Sequence, residues 1–343
     1  MQRRVETPGP LLDEQGRLME TGYATSLIRQ YDRSRIKKSR LRVKEWDYYC
    51  VTSDRYALAL TIADNGYMGL DSISLLDFDG PWEKTASKMC VLPLGRRGLP
   101  ATSKAGDIRV SGKGYEMTFQ NSGRGRRLFG HMDGFRDGEP ILFDLALGPD
   151  PKESMVIMTP FQEDPRAFYY NQKINCLPVS GKAALGGKEY LFSPAHSFAV
   201  LDWGRGVWTY ENTWYWGSAS GRIGDGLFGF NIGYGFGDTS AASENMLFWN
   251  GKAHKLSRVS FEIPKKDGGE DYLSPWRFTS DDGRFEMDFT PILDRAANMD
   301  FNLLCSDQHQ VFGRFDGTAV LDGGTHVEAR NLLGFAEKVH NKW

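Results

Sequence analysis

The sequence repeats itself once. Trp46 has a counterpart in Trp216, Leu60-Thr61-Ile62 in Phe230-Asn231-Ile232, and Tyr115-Glu116-Met117-Thr118-Phe119 in Phe285-Glu286-Met287-Asp288-Phe289, all at an offset of 170 residues. Phe78-Asp79-Gly80 matches Trp249-Asn250-Gly251 at 171. Four pairs in one order at a domain-sized period describe a duplicated unit rather than a solenoid of short repeats. The 343 residues leave room for two such units, each burying its own core.

Those units read as antiparallel β-structure. Tyr115, Met117 and Phe119 alternate onto one face of a strand, and Ile73–Phe78 runs into the turn signal Asp79-Gly80. Aromatics at 13% and 39 glycines suit tightly turning strands better than helical bundles. No sustained helical period is present; one or two short helices, at 163–172, are all the pattern allows. The expected architecture is mostly β, two tandem pseudo-symmetric barrel or sandwich halves. Its boundaries are an N-terminal arm and basic connector over 1–43, a first half over 44–190 and a second over 191–343.

Several functional classes lack support. Lys and Arg number 42 against 44 Asp and Glu, so no general field holds nucleic acid. The stretch from Arg33 to Lys44 carries seven cations and could meet an anionic membrane surface, but a short run in a neutral chain reads more simply as a solvated connector. No apolar run approaches the roughly 20 residues that span a bilayer, and Met1–Glu6 lacks the apolar segment of a secretory signal. Cys50, Cys90, Cys176 and Cys305 are scattered, which suits reduced thiols in a cytoplasmic protein and no cysteine metal site. His309, His326 and His340 are isolated, and His254 is expected at the surface. No Gly-x-Ser-x-Gly elbow occurs, and the glycines at 229, 233, 235 and 237 lack a following Gly-Lys-Ser/Thr. No metal or cofactor is expected, and nothing specifies an oligomeric state.

Possible chemistry concentrates between 193 and 256. This segment holds His196, Asp202-Trp203-Gly204, Trp214-Tyr215-Trp216, Asn231, Tyr234 and Glu244-Asn245. With Lys44-Glu45-Trp46-Asp47-Tyr48-Tyr49 and the closing Gly334-Phe335-Ala336-Glu337-Lys338-Val339-His340-Asn341-Lys342-Trp343, it resembles the bacterial DUF2804 proteins, a family named only as a domain of unknown function. The resemblance covers nearly the whole chain. The family is distantly similar to a lipocalin-like (calycin-type) group that includes carotenoid 1,2-hydratases and AttH-like proteins, which implies two barrel-like halves. Members of that group carry an acidic residue shortly before Trp-Gly and then a Trp-x-Trp strand; Asp202 and the pair Trp214 and Trp216 occupy those places, although Asp202 adjoins Trp203 directly.

Two readings follow. The leading one is a binder of a largely apolar small molecule, isoprenoid or lipid-like, in a β-barrel cavity, with Trp214, Trp216, Asn231, Tyr234 and Asn245 as contacts. The alternative is a cofactor-free hydratase, isomerase or cyclase acting on an alkene. There Asp202 donates the proton, His196 relays it, Glu244 is a second acid and the two indole faces stabilise a cation. Each residue also has a structural reading: core tryptophans with N–H groups on backbone, a turn fastened by Glu244 and Asn245, and Glu337 in a salt bridge.

Overall fold

The computed structural model describes residues 2–300 and 305–342; Met1 and Trp343, quoted above, lie outside the described residues. Almost every element is a strand, and the helical content among the described residues is two three-residue 3-10 turns, Arg33–Arg35 and Arg40–Arg42. No helix is long and apolar enough to cross a membrane.

Two curled antiparallel sheets share one plan. In the first, Val43–Thr52, Tyr56–Asp64, Met68–Asp77 and Trp82–Val91 form a meander. A second run, from Ile108–Gly112 to Asp164–Leu185, ends in Phe198–Val207, which pairs back onto Val43–Thr52. The other sheet repeats this with Glu211–Ile223, Gly226–Tyr234, Met246–Trp249 and Lys252–Lys255, and its last strand, His326–Lys342, returns to Glu211–Ile223.

The duplication is visible in the register. Trp46 faces Ala63 across its hairpin, and Trp216 faces Gly233, each pair displaced by the same 170 residues. Phe78 and Trp249 both lead into the turn after the third strand. The match of Tyr115–Phe119 with Phe285–Phe289 does not fit. Tyr115–Asn121 is the second strand of its run, whereas Phe285–Asp300 is the third, so that match is one of strand alternation rather than position. The first sheet extends to Val207, so residues 191–207, placed by sequence in the second half, belong by pairing to the first.

Each half has its own filled core. Val43, Tyr49 and Val51 face the first, with Leu58, Leu60, Phe119 and Leu145. Phe230, Phe278, Phe285, Phe289 and Phe315 fill the second. The alternate residues of the first strand, Trp46, Tyr48 and Cys50, point out of that core and meet Trp214, Trp216, Phe312 and Phe335 of the other half. Strands buried on both faces carry few polar positions, as Phe198–Val207, buried throughout, illustrates.

This double burial explains the misread helix at 163–172. Those residues begin the 22-residue strand Asp164–Leu185, whose middle is buried without a break and so shows no two-residue period. The strand breaks register between Ile174 and Leu177, with Cys176 at φ 63°. That bulge turns Asn175 onto the second sheet, where its amide donates to Ser218 Oγ at 2.8 Å and to the Phe230 carbonyl at 2.9 Å.

The N-terminal arm is not loose. Val5, Leu11, Leu12 and Tyr31 join the first core, and Gly22–Ala24 pairs with Met155–Phe161. Arg3 N donates to the Ala241 carbonyl at 2.8 Å, and Gln2 Oε1 accepts from Ser243 N at 2.7 Å. The basic stretch is tied down as well: Arg33 pairs with Glu45, Lys38 with Asp164, Arg40 donates to the Leu94 carbonyl and Lys44 to that of Asn65. His254, expected at the surface, is buried and accepts from Asp322 N.

Candidate functional site

Both core interiors are filled, and a partly open cavity lies between the sheets. A cavity of about 540 Å³ runs along the seam, walled by the meander strands of the first half and by Glu211–Ile223, Phe285–Asp300, Cys305–Val320 and His326–Lys342 of the second. From the sequence, a β-barrel cavity is expected within or between the two halves, in the second half or at the junction.

One end is an aromatic box. Trp46 stacks on Tyr169 (centroids 6.1 Å apart, planes 12°) and meets Trp208 edge-on at 5.1 Å. Phe236 packs edge-on against Tyr169, Trp208 and Trp214 at 4.8, 4.8 and 5.3 Å. Trp46 fits because its cross-strand neighbour is Gly204; a Cβ there would fall 1.9 Å from the indole Cζ2.

Charged groups sit against this box. Lys173, on the turn of strand before the bulge, is directly opposite Asp202, with Nζ 2.8 Å from Oδ2. Asn171 Nδ2 donates to the other carboxylate oxygen at 2.6 Å. The same ammonium lies 3.7 Å from the centroid of the Trp216 ring, a close cation–π contact. Glu337 accepts from Trp214 Nε1 at 3.0 Å and from Gln310 Nε2 at 2.9 Å, and Tyr48 donates to Gln310 Oε1 at 3.2 Å. Burial pushes the Glu337 carboxyl above the ordinary range, while the Trp214 hydrogen bond and the Lys173 charge pull the other way.

Glu244 arrives from an insertion. The first hairpin turns from Asp64 to Met68, but its counterpart runs from Tyr234 to Met246, and the added loop carries Phe236 and Glu244 to the cavity. Gly233 makes room for the carboxyl; a Cβ there would stand 2.9 Å from Oε1. Burial raises the Glu244 pKa, opposed by the Lys173 charge and by Asn231, whose amide reaches the carboxylate Oε2 at 3.4 Å as well as donating to the Glu244 carbonyl at 2.8 Å. Asn231 Oδ1 in turn accepts from Trp216 Nε1 at 2.7 Å.

The structure therefore gathers Asp202, Trp214, Trp216 and Glu244 around one cavity, with Asn231 behind them as a positioning residue. His196 is elsewhere. It sits exposed on the turn before Phe198–Val207, 3.4 Å from Asp54, and makes no pair with Asp202. Tyr234 and Asn245 line a separate open cleft of about 800 Å³, and Asn245 Oδ1 fastens the loop by accepting from Gly233 N at 2.7 Å. Both indoles donate to side chains rather than backbone, and Glu337 has no salt bridge among the described residues. Sequence reasoning passed over Lys173, Gln310, Arg295 and Asn341, which also line the cavity.

Residues 2–343 match the family model described as Domain of unknown function (DUF2804). No curated protein sequence matches significantly. Among solved structures, an AttH-like protein of Nitrosomonas europaea superposes with a TM-score of 0.55 at 12% identity, covering 90% of this chain and 96% of that one. Kievitone hydratase from Nectria haematococca gives 0.49 at 11%, covering 98% of each chain, and CghA gives 0.43 at 10%, covering 98% and 97%. The first of these likenesses establishes a shared lipocalin-like fold.

Proposed function

The chain belongs to the DUF2804 family, and we propose that its seam cavity binds a small molecule with an aromatic or alicyclic body and several polar substituents. The observation that carries this is the aromatic box opening onto the buried Lys173–Asp202 pair within one cavity of about 540 Å³. That volume is in the range of small-molecule sites, and apolar walls with a few fixed polar groups are their usual composition. The exposed wall of the cavity is mostly apolar, with polar side chains such as Ser72, Thr85, Gln308 and Gln310 set into it, which suits an apolar body carrying polar substituents.

Thermal unfolding against a metabolite extract, with native mass spectrometry of the protein as purified, tests the reading. A ligand at 100 times its Kd should raise Tm by about 4 °C for a chain of this size, and Trp216→Phe should weaken the shift. If no extract component moves Tm and nothing is released on denaturation, the cavity is not a ligand site.

A second reading rests on Glu244 and Glu337, whose carboxyls burial biases towards the protonated form in a cavity lined by indoles. In this reading Asp202 serves as the counter-ion of Lys173, and Glu244, held by one long contact of 3.4 Å at Oε2, is the acid. Its proton passes to an alkene carbon, water adds to the resulting cation, and the water's surplus proton returns to the carboxylate. Glu244→Gln should keep affinity and lose turnover on an alkene ligand found by the first experiment; unchanged turnover would remove Glu244 from the chemistry.

A further inference from the structure

We propose that Asn341 is the cavity's recognition residue and that it selects neutral ligands presenting a hydrogen-bond donor and an acceptor side by side: a primary carboxamide, a lactam, or a carbonyl next to a hydroxyl. This rests on the seam cavity being a ligand site and names what that site would take.

Asn341 lies on His326–Lys342, four residues beyond Glu337, and lines the same cavity. Its backbone is held in the ladder between Asn212 and Ser306, and the residue is 1% exposed. Neither Oδ1 nor Nδ2 has a hydrogen-bond partner among the described residues. The surrounding groups are matched to one another: Gln310 with Glu337 and Tyr48, Gln308 with Ser306 Oγ at 2.7 Å, and Asp202 with Lys173 and Asn171. A buried carboxamide open at both ends is uncommon in native proteins and carries the desolvation cost of two groups.

The chemistry of a complement follows from geometry. The amide offers one acceptor and one donor side by side, and a group with the reverse pair closes two parallel hydrogen bonds. A carboxylate would meet Nδ2 only and would enter a cavity that already holds Asp202, Glu244 and Glu337. An ammonium would meet Oδ1 only.

The probes are 2-naphthamide and 2-methylnaphthalene, titrated by tryptophan fluorescence against the full chain and Asn341→Leu, which keeps the branching and heavy-atom count of the side chain and removes both polar atoms. The wild type is expected to bind the amide at least tenfold more tightly than the hydrocarbon, and the variant to discriminate less than twofold. Removing two unmet polar groups should also leave ligand-free Asn341→Leu with a Tm equal to or above wild type, an outcome a structural asparagine would not give. Asn341→Asp, an acceptor without a donor, should lose the preference as well. Equal wild-type affinity for the two probes would mean that water alone satisfies Asn341 and would overturn the proposal; so would a lowered Tm in Asn341→Leu or a preference that survives it. Failure of both probes to bind, to any variant, would instead reject the seam cavity as the ligand site and this proposal with it.

Discussion

At the residue scale the decisive group is Lys173. It is buried, and its partners are a carboxylate and an indole face. Lys173→Met is expected to cost about 3–5 kcal/mol in urea unfolding, because Asp202 is left as an unpaired buried charge, and Asp202→Asn in the same chain should recover part of that loss. A second expectation concerns pH. Lys255 donates to Ser243 Oγ, the Asn245 carbonyl and the Leu256 carbonyl, yet burial pulls its pKa down to about 7, against the pull of Glu244; burial does the same to Lys44. A free lysine keeps its proton to 10.5. Between those values the unfolded chain holds protons that the folded one has released, so stability should rise with pH by up to about 1.4 kcal/mol per unit for each lysine. Glu244 and Glu337 contribute the opposite slope above 4.5, since their raised pKa values stabilise the folded form only while protonated. Urea midpoints at pH 7 and 9.5 in wild type and Lys255→Met isolate the lysine: the rise should shrink in the variant, and an unchanged rise would contradict the assignment. Asp202 and Trp214 were legible in the sequence because acidic and aromatic residues stood together. Lys173 was not, because only cross-strand register brings it opposite Asp202.

At the element scale the inserted loop and the glycine–tryptophan contacts shape the site. Gly204→Ala should push Trp46 from its bed, costing roughly 1–3 kcal/mol and shifting the tryptophan emission; a variant with native emission and stability would show that the strand gives way instead. The same device recurs at Gly226, where a Cβ would fall 2.0 Å from Trp249 Cη2. Hairpin strands and their turns were readable from alternation and Asp-Gly or Asn-Gly signals. The loop between Tyr234 and Met246 was readable as a polar, glycine-flanked stretch, but that it places Phe236 and Glu244 on the cavity while Asn245 turns away to fasten Gly233 N depends on tertiary packing. The strand at 164–185 was lost for the reason that makes it central, burial on both faces.

At the scale of the whole molecule, duplication supplies two closed cores and leaves a cavity between them. The repeat foretold two halves, and the filled interiors, Phe-rich in the second, show why the cavity lies between the halves rather than inside either. The buried bonds from Asn175 to Ser218 and Phe230 make the seam part of the cooperative fold, so tryptophan fluorescence and far-UV circular dichroism should report one unfolding transition. Two separated transitions would mean that the halves melt independently.

The seam also fixes when the molecule becomes competent. Trp46 and Asn341 line one cavity although nearly the entire chain separates them. Contacts of such sequence separation close slowly, after local hairpins have formed. Ligand capture should therefore be a late event in refolding, lagging the recovery of β-structure, and neither half expressed alone should acquire it.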